Sequence, residues 1–326
     1  MPALRISCGI CYSSGMLMRV CLAGLLFLSC GTFAPAQVRP RNQEPPPTIR
    51  AEVALVNVIF TAVDRNGRHV PDLKVDDFMV FEDKQPQKIE YFSDLGKGSD
   101  LPLTIALLID TSGSVKSKLE YEKETAAEFF REVLRKSKDL ALIIQFDSDV
   151  NLVQDFTDDP KRLINALDSL EAGNSTALYD AIYLAANEKL KNETGRKVIV
   201  VITDGEDTSS RLKDKAAIEA AQRNDILIYG IGVRSEMGTN FGVLKRFAEE
   251  TGGVFFSPHA RFAEIQAAFR AIGADLQGQY SLAYSSANAK RDGAFRSIEI
   301  RSKLPGIKIR ARKGYYAPKS NRGGPE

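Results

Sequence analysis

The sequence predicts an α/β protein: a doubly wound, mostly parallel sheet, accompanied by a small β-sandwich formed from the strands that flank it. Three observations lead there. Apolar runs at 103–110, 140–146, 198–204 and 226–233 lack polar alternation, as strands buried on both faces of a parallel sheet do. Helical spacing fills the intervals between them, which implies repeated β-α units. On either side, residues 49–97 and 278–316 carry strand-like texture with no helical period.

The chain of 326 residues is long enough for two domains, and 44% hydrophobic with 26% charged residues is an ordinary globular composition. Residues 1–36 are a different material. They hold Arg5 and Arg19 but no acid, an apolar run from Val20 to Leu28, and a small-residue site, Ala34-Pro35-Ala36. That pattern predicts a signal peptide cleaved before Gln37. Met16 and Met18 are alternative starts to Met1, since the stretch before Arg19 is long for a signal. The chain is therefore expected outside the cytoplasm, in the periplasm, at the cell surface or in the medium. All four cysteines lie in this segment, so cleavage leaves no disulfide and no zinc-thiolate site. Cys30 offers a second ending, lipidation and retention at a membrane, which Phe27 and Leu28 fit poorly. What remains after residue 36 has 42 basic and 42 acidic residues, so charge gives no reason to expect nucleic acid.

Residues 37–48 are proline-rich and predict an extended linker. In 49–97, strands are expected at 52–63, 78–81 and 89–92, with Asp64-Arg65-Asn66-Gly67 as a hairpin turn. The α/β unit is expected over 98–277. Its first helix follows Leu119, Glu122, Ala126, Phe129, Phe130, Val133 and Leu134, with Glu122 the one polar exception on that face. Further helices are expected near 161–170, 177–190, 212–223 and 241–250, then a strand at 252–256 and a closing helix at 261–276. In 278–316, strands at 279–284, 295–301 and 307–312 are expected around a Pro305-Gly306 turn. Neither flank alone has strands enough for a stable sheet, so the two are expected to pair. Residues 317–326 are expected to be a disordered tail.

Chemistry concentrates at two strand ends. Asp110-Thr111-Ser112-Gly113-Ser114 follows the first buried strand, and Thr203-Asp204-Gly205 ends the run at 198–204. Parallel strands point the same way, so both aspartates are expected at the carboxyl edge of the sheet, where open α/β folds bind ligands. Carboxylates and hydroxyls without His or Cys make a hard-oxygen site, which suits Mg²⁺ or Mn²⁺ and Ca²⁺ less well.

These residues resemble a von Willebrand factor type A domain, over about residues 100–275. In that family the metal-ion-dependent adhesion site is a D-x-S-x-S loop, a threonine from a second loop and an aspartate from a third. Asp110, Ser112 and Ser114 match the first, Thr176 in Asn174-Ser175-Thr176 the second, and Asp204 the third. The resemblance implies that Ser112, Ser114 and Thr176 ligate through hydroxyls while Asp110 and Asp204 act largely through water. It further implies a binding module rather than an enzyme, with a partner protein's Asp or Glu completing the coordination. Outside the domain, Asp76 to Asp83 and Arg312-Lys313-Gly314-Tyr315-Tyr316 resemble bacterial secreted proteins of this family.

Competing readings are weaker. Ser114 or Ser117 as a helix cap explains one serine only. A haloacid-dehalogenase-type phosphohydrolase would make Asp110 a nucleophile and Asp204 and Asp207 the Mg²⁺ ligands, but Ser112 stands where its second acid belongs and Thr176 has no part. Asp147 to Asn151 resembles an EF-hand start, yet Leu152 replaces the required glycine, so a turn is expected. Gly230-Ile231-Gly232 lacks the third glycine of a dinucleotide site, and no small-molecule cofactor is expected. His69 and His259 fit no catalytic triad, and no G-x-S-x-G occurs.

Overall fold

The computed structural model describes residues 55–96, 99–204, 207–234 and 241–319. The predicted signal peptide, the proline-rich linker and the chain from residue 320 onward lie outside the described residues. Among those described, no helix is long and apolar enough to cross a membrane.

The first flank contributes β1 (Leu55–Val63), β2 (Phe78–Glu82), β3 (Gln85–Gln87) and β4 (Ile89–Asp94). The α/β unit runs β5 (Leu103–Asp110), α1 (Leu119–Val133), β6 (Leu140–Phe146), β7 (Val150–Thr157), α2 (Pro160–Asp168), α3 (Leu178–Leu184), β8 (Arg196–Thr203), α4 (Asp214–Arg223), β9 (Ile226–Gly232), α5 (Gly242–Thr251), β10 (Phe255–Phe256) and α6 (Phe262–Gln277). The second flank supplies β11 (Gln279–Ser285), β12 (Phe295–Ser302), β13 (Lys308–Ala311) and β14 (Gly314–Tyr316).

The six-stranded sheet has the order β10-β9-β8-β5-β6-β7, parallel except where β7 returns antiparallel beside β6. Every residue of β5 and β8 is buried. Side chains alternate across a strand, so Ile105, Leu107 and Ile109 pack with Val198, Val200 and Ile202 under α1, α2 and α6. Ala106 and Leu108 join Ile199 and Val201 on the other face, under α3, α4 and α5. Two apolar cores thus sandwich one sheet.

Two differences from expectation have local causes. The helix expected over 177–190 is α-helical only to Leu184, then widens to a π turn and tightens to a 3₁₀ turn ending at Asn192. The hairpin expected at Asn66-Gly67 turns, with Gly67 at φ +78°, but pairs only through a Val63–His69 bridge. Pro71, which has no N–H to donate, then ends the pairing. Of the tail expected over 317–326, the first residues are held in place: Ala317 is buried and donates to Ala294 O at 2.9 Å, and Lys319 bridges Asp292.

The flanks interleave into two four-stranded sheets, β13-β1-β11-β4 and β14-β12-β2-β3. Each sheet takes strands from both sides of the α/β unit. Their inner faces share one core that includes Val58, Phe60, Phe78, Leu282, Tyr284 and Ile298. Phe78 joins the layers: its ring centroid lies 5.0 Å from Phe60 and 5.5 Å from Phe92, both in the opposite sheet. Replacing Phe78 with Ala should cost about 3–5 kcal/mol, read as a lowered urea midpoint. A loss under about 1 kcal/mol would mean that the layers do not depend on this contact.

Candidate metal centre

Strands β5 and β8 are hydrogen-bonded neighbours, with Ile109 opposite Ile202, so Asp110 and Thr203 leave the sheet side by side. Asp110 is wholly buried, and both carboxylate oxygens are engaged. Oδ1 accepts from the Ser112 N–H at 2.8 Å, and Oδ2 accepts a short hydrogen bond from the Thr203 hydroxyl. Burial pushes the Asp110 carboxyl up to about 6, helped by the Asp204 charge and opposed by the hydrogen bonds from Thr203 and Ser112.

The loop then folds back. A 3₁₀ turn over Gly113–Val115 sets the Ser112 and Ser114 hydroxyls 3.1 Å apart. Ser114 donates to Asp204 Oδ1 at 2.7 Å, and the Lys118 ammonium forms a short ion pair with Asp204 Oδ2. Asp110, Ser112, Ser114 and Asp204 thereby form one chain of contacts. Neither Ser114 nor Ser117 caps α1; the cap position belongs to Lys118, whose side chain goes to Asp204 and not to the helix backbone.

Thr176, also buried, stands in the adjoining loop. That loop is tied to the first by Gly113 N–H to Asn174 O at 3.2 Å and Gly173 N–H to Thr111 O at 2.5 Å. Thr176 itself exchanges backbone and hydroxyl hydrogen bonds with Thr208. Its own hydroxyl makes no hydrogen bond to the cluster among the described residues. Gly173 is required by space, since a Cβ there would meet the Asp147 carboxylate at 2.0 Å. Asp147 begins the turn joining β6 to β7, as expected of the EF-hand look-alike, and its carbonyl accepts from Ala177 N at 2.7 Å. Asp207 is occupied in ordering the next loop, accepting from Ser210 and from Tyr179 N.

Three residues beyond the motif belong to this neighbourhood. Thr203 was legible only as the residue before Asp204. Lys118 and Glu122 lie one helical turn apart, joined by Glu122 N–H to Lys118 O at 3.1 Å. Glu122 is the polar exception in the apolar face of α1, and that was its one signal. It is fully buried, and neither carboxyl oxygen has a hydrogen-bond partner. Burial, then Asp110 and Asp204, push its carboxyl well above the usual range, while Lys118 pulls the other way.

The donor set is one of carboxylate and hydroxyl oxygens, which fits a hard divalent cation. No group of three or more His, Cys, Asp or Glu side chains gathers as a metal site among the described residues, so a cation held here needs the serine and threonine hydroxyls.

Comparison with known proteins shows the family of the α/β unit. The family profile described as von Willebrand factor type A domain matches residues 104–271. An uncharacterized protein of Borreliella burgdorferi is 26% identical over 197 residues, which is 52% of this chain and 56% of that protein. The chain thus spans little more than half of that curated relative. Among solved structures, proximal thread matrix protein 1 from the mussel byssus, with a zinc-occupied MIDAS motif, aligns with a TM-score of 0.50 at 16% identity, over 60% of this chain and 50% of that one. The conserved hypothetical protein BatB from Bacteroides thetaiotaomicron aligns at 0.44 and 21% identity, over 52% of this chain and 96% of that one.

The buried Asp110 carboxyl makes stability pH-dependent. Its proton is held more tightly in the folded chain, to about pH 6, than in the unfolded chain, near 3.8. The stability this contributes is full below about pH 4 and is lost as pH rises to about 6, a loss of roughly 2–3 kcal/mol. Urea midpoints in EDTA should fall across that window in the wild type and fall less in Asp110→Asn. Equal slopes in the two proteins would refute the assignment.

Proposed function

Because the chain belongs to the von Willebrand factor type A domain family, we propose that it is an exported, metal-dependent binding protein rather than an enzyme. Asp110, Ser112, Ser114, Thr176 and Asp204 hold a divalent cation, Mg²⁺ or Mn²⁺ before Ca²⁺, and the cation engages an Asp or Glu of a partner protein. In this reading residues 98–277 are the binding unit, 49–97 and 278–316 its sandwich, and residues 1–36 the export signal. The product resides in the periplasm, at the surface or in the medium, with anchoring through Cys30 as the lesser route.

The observation that supports it is the convergence of four of the five residues in one hydrogen-bonded cluster at the carboxyl edge of adjacent parallel strands. Hydroxyl ligands bring no charge, so a cation held mainly by them keeps its pull on an outside carboxylate. The bound ion supplies that electrophilic position; the protein fixes the loops around it. Thr203 orients Asp110, Gly173 admits the close approach of Asp147, and Lys118 shares Asp204 with Ser114.

A phosphohydrolase with Asp110 as nucleophile is disfavoured physically. The carboxylate is buried, and both oxygens already accept hydrogen bonds. Attack on a phosphorus would have to break these contacts and bring substrate to a side chain with no exposed surface.

Capture of partners from native periplasm or medium should occur with Mg²⁺, vanish with EDTA, and be lost in Asp110→Ala while the fold persists. Capture that survives EDTA, or turnover of a generic phosphate ester that disappears in Asp110→Ala, would overturn the reading. The choice of ion is settled by titrating Mg²⁺, Mn²⁺, Ca²⁺ and Zn²⁺ by calorimetry, zinc being included because the mussel protein carries it. Lys118→Met should raise affinity for the ion by about tenfold or more, since an ammonium and a divalent ion repel at close range in a buried site. Unchanged affinity would place Lys118 outside the site.

A further inference from the structure

At the opposite end of the same strands lies a cavity of about 310 Å³, between β1 of the sandwich and the amino ends of β8 and β9. The metal reading does not use it. Its lining includes Lys197 from β8, Arg312 from the link between β13 and β14, Gln222 and Asn57, with Glu193 and Asp225 also on its wall.

The two cations are the anomaly. Lys197 is 9% exposed and Arg312 8% exposed. No hydrogen bond or ion pair reaches the Lys197 ammonium among the described residues. Arg312 gives one nitrogen to Asp225 in a short ion pair and another to Asn57 O at 2.6 Å, but its buried Nε has no acceptor. The Lys197 side chain is largely covered, but its ammonium opens on the cavity with water in place of a protein acceptor. Two buried cations sharing one cavity also repel each other. Asp225 offsets this only in part, because its side chain is 59% exposed and bonded to Arg312.

The placement is built into the backbone. Arg312 belongs to the Arg312-Lys313-Gly314-Tyr315-Tyr316 motif, and the link carrying it lies against the carboxyl end of α5. Lys313 N–H donates to Glu250 O at 3.1 Å. Gly252 ends that helix at φ +90°, and a Cβ there would stand 2.6 Å from the Arg312 nitrogen. Lys197 shares the face of β8 that carries Ile199 and Val201, so its stem runs along apolar core before reaching the cavity. One cation comes from the sandwich and the other from the α/β sheet, so the site exists only where the two meet, a common setting for small-molecule sites.

We propose that this cavity binds a small oxyanion, a phosphate or carboxylate group, between Lys197 and Arg312. Such a group supplies the acceptor that the Lys197 ammonium lacks, and places negative charge beside two positive ones. The cavity is at the lower end of the usual range for small-ligand pockets. Glu193 and Asp225 on the wall repel further negative charge, so the ligand carries a single anionic head and is not a polyphosphate or a nucleic acid.

The test uses the full chain in EDTA, with thermal unfolding followed in inorganic phosphate, in acetate and in chloride at matched ionic strength. The Tm should climb and saturate with phosphate or acetate beyond its value in chloride. The anion that saturates at the lower concentration identifies the head group. Lys197→Met should lose the anion-dependent rise while keeping or improving its Tm in chloride, because the unpaired charge is gone. Asp110→Ala should retain the rise, which separates this site from the metal centre. A phosphate and acetate titration read at the Lys197 Nζ resonance checks the same point without a substitution. The proposal is overturned if neither anion gives a saturable rise, if Lys197→Met keeps it, or if the resonance does not move.

Discussion

Burial of β5 and β8 on both faces decides where this chain can put polarity. Neither strand has a water-facing side, so their polar groups collect at the two ends. At the carboxyl end, Asp110, Thr203 and Asp204 emerge as close neighbours because the strands are parallel and adjacent. At the amino end, Arg196 and Lys197 sit beside the sandwich. Eight residues of extended chain separate the ends, a span of about 25 Å. The two polar sites therefore share β8 and are kept apart by its length.

Within the candidate metal-site cluster, each aspartate answers to two donors. Asp204 accepts from Ser114 and from Lys118, and Asp110 from Ser112 and Thr203. Every lone pair so used is a contact that an incoming cation competes for. Glu122 adds a buried carboxyl with no donor at all, one turn along α1 from the Lys118 ammonium. Loss of water raises the Asp110 and Glu122 carboxyls first, and the neighbouring acids add to it, with Lys118 opposing the rise at Glu122.

What the sequence disclosed follows from how strongly burial constrains each element. β5, β6, β8 and β9 were legible because strands enclosed on both faces must be apolar at every position. β7 was not, because an edge strand with one covered face tolerates Asn151, Gln154 and Asp155 and so resembles a loop. β14 has only three residues, too few for any period. The five candidate ligands came from motif order, since periodicity says nothing about which strand-end oxygens converge. Lys118 and Glu122 escaped because a lysine and a glutamate near the start of an amphipathic helix normally face water; only Glu122 broke the pattern, and a pattern break does not reveal what lies opposite. The interleaving of the flanks was foreseeable from a shortage of strands, whereas the register that brings Arg312 to the cavity depends on Gly252 and was not.

The seam between sandwich and α/β layer is polar, unlike the core of either. Asp275 near the end of α6 accepts from Tyr229 of β9 at 2.6 Å, pairs with Arg310 of β13, and lies 3.6 Å from His69. Arg196 at the start of β8 donates to Leu276 O at 2.6 Å and reaches Gln279 of β11. Buried polar groups with directional partners penalise sliding more sharply than apolar contacts do, since each displaced donor is left unpaired. A seam of this kind fixes the lobes in one orientation. Because the contacts all fall at the amino end of the sheet, the sandwich is anchored away from the edge where Asp110 and Asp204 meet. The strands that position the candidate metal ligands at one end therefore meet the sandwich at the other.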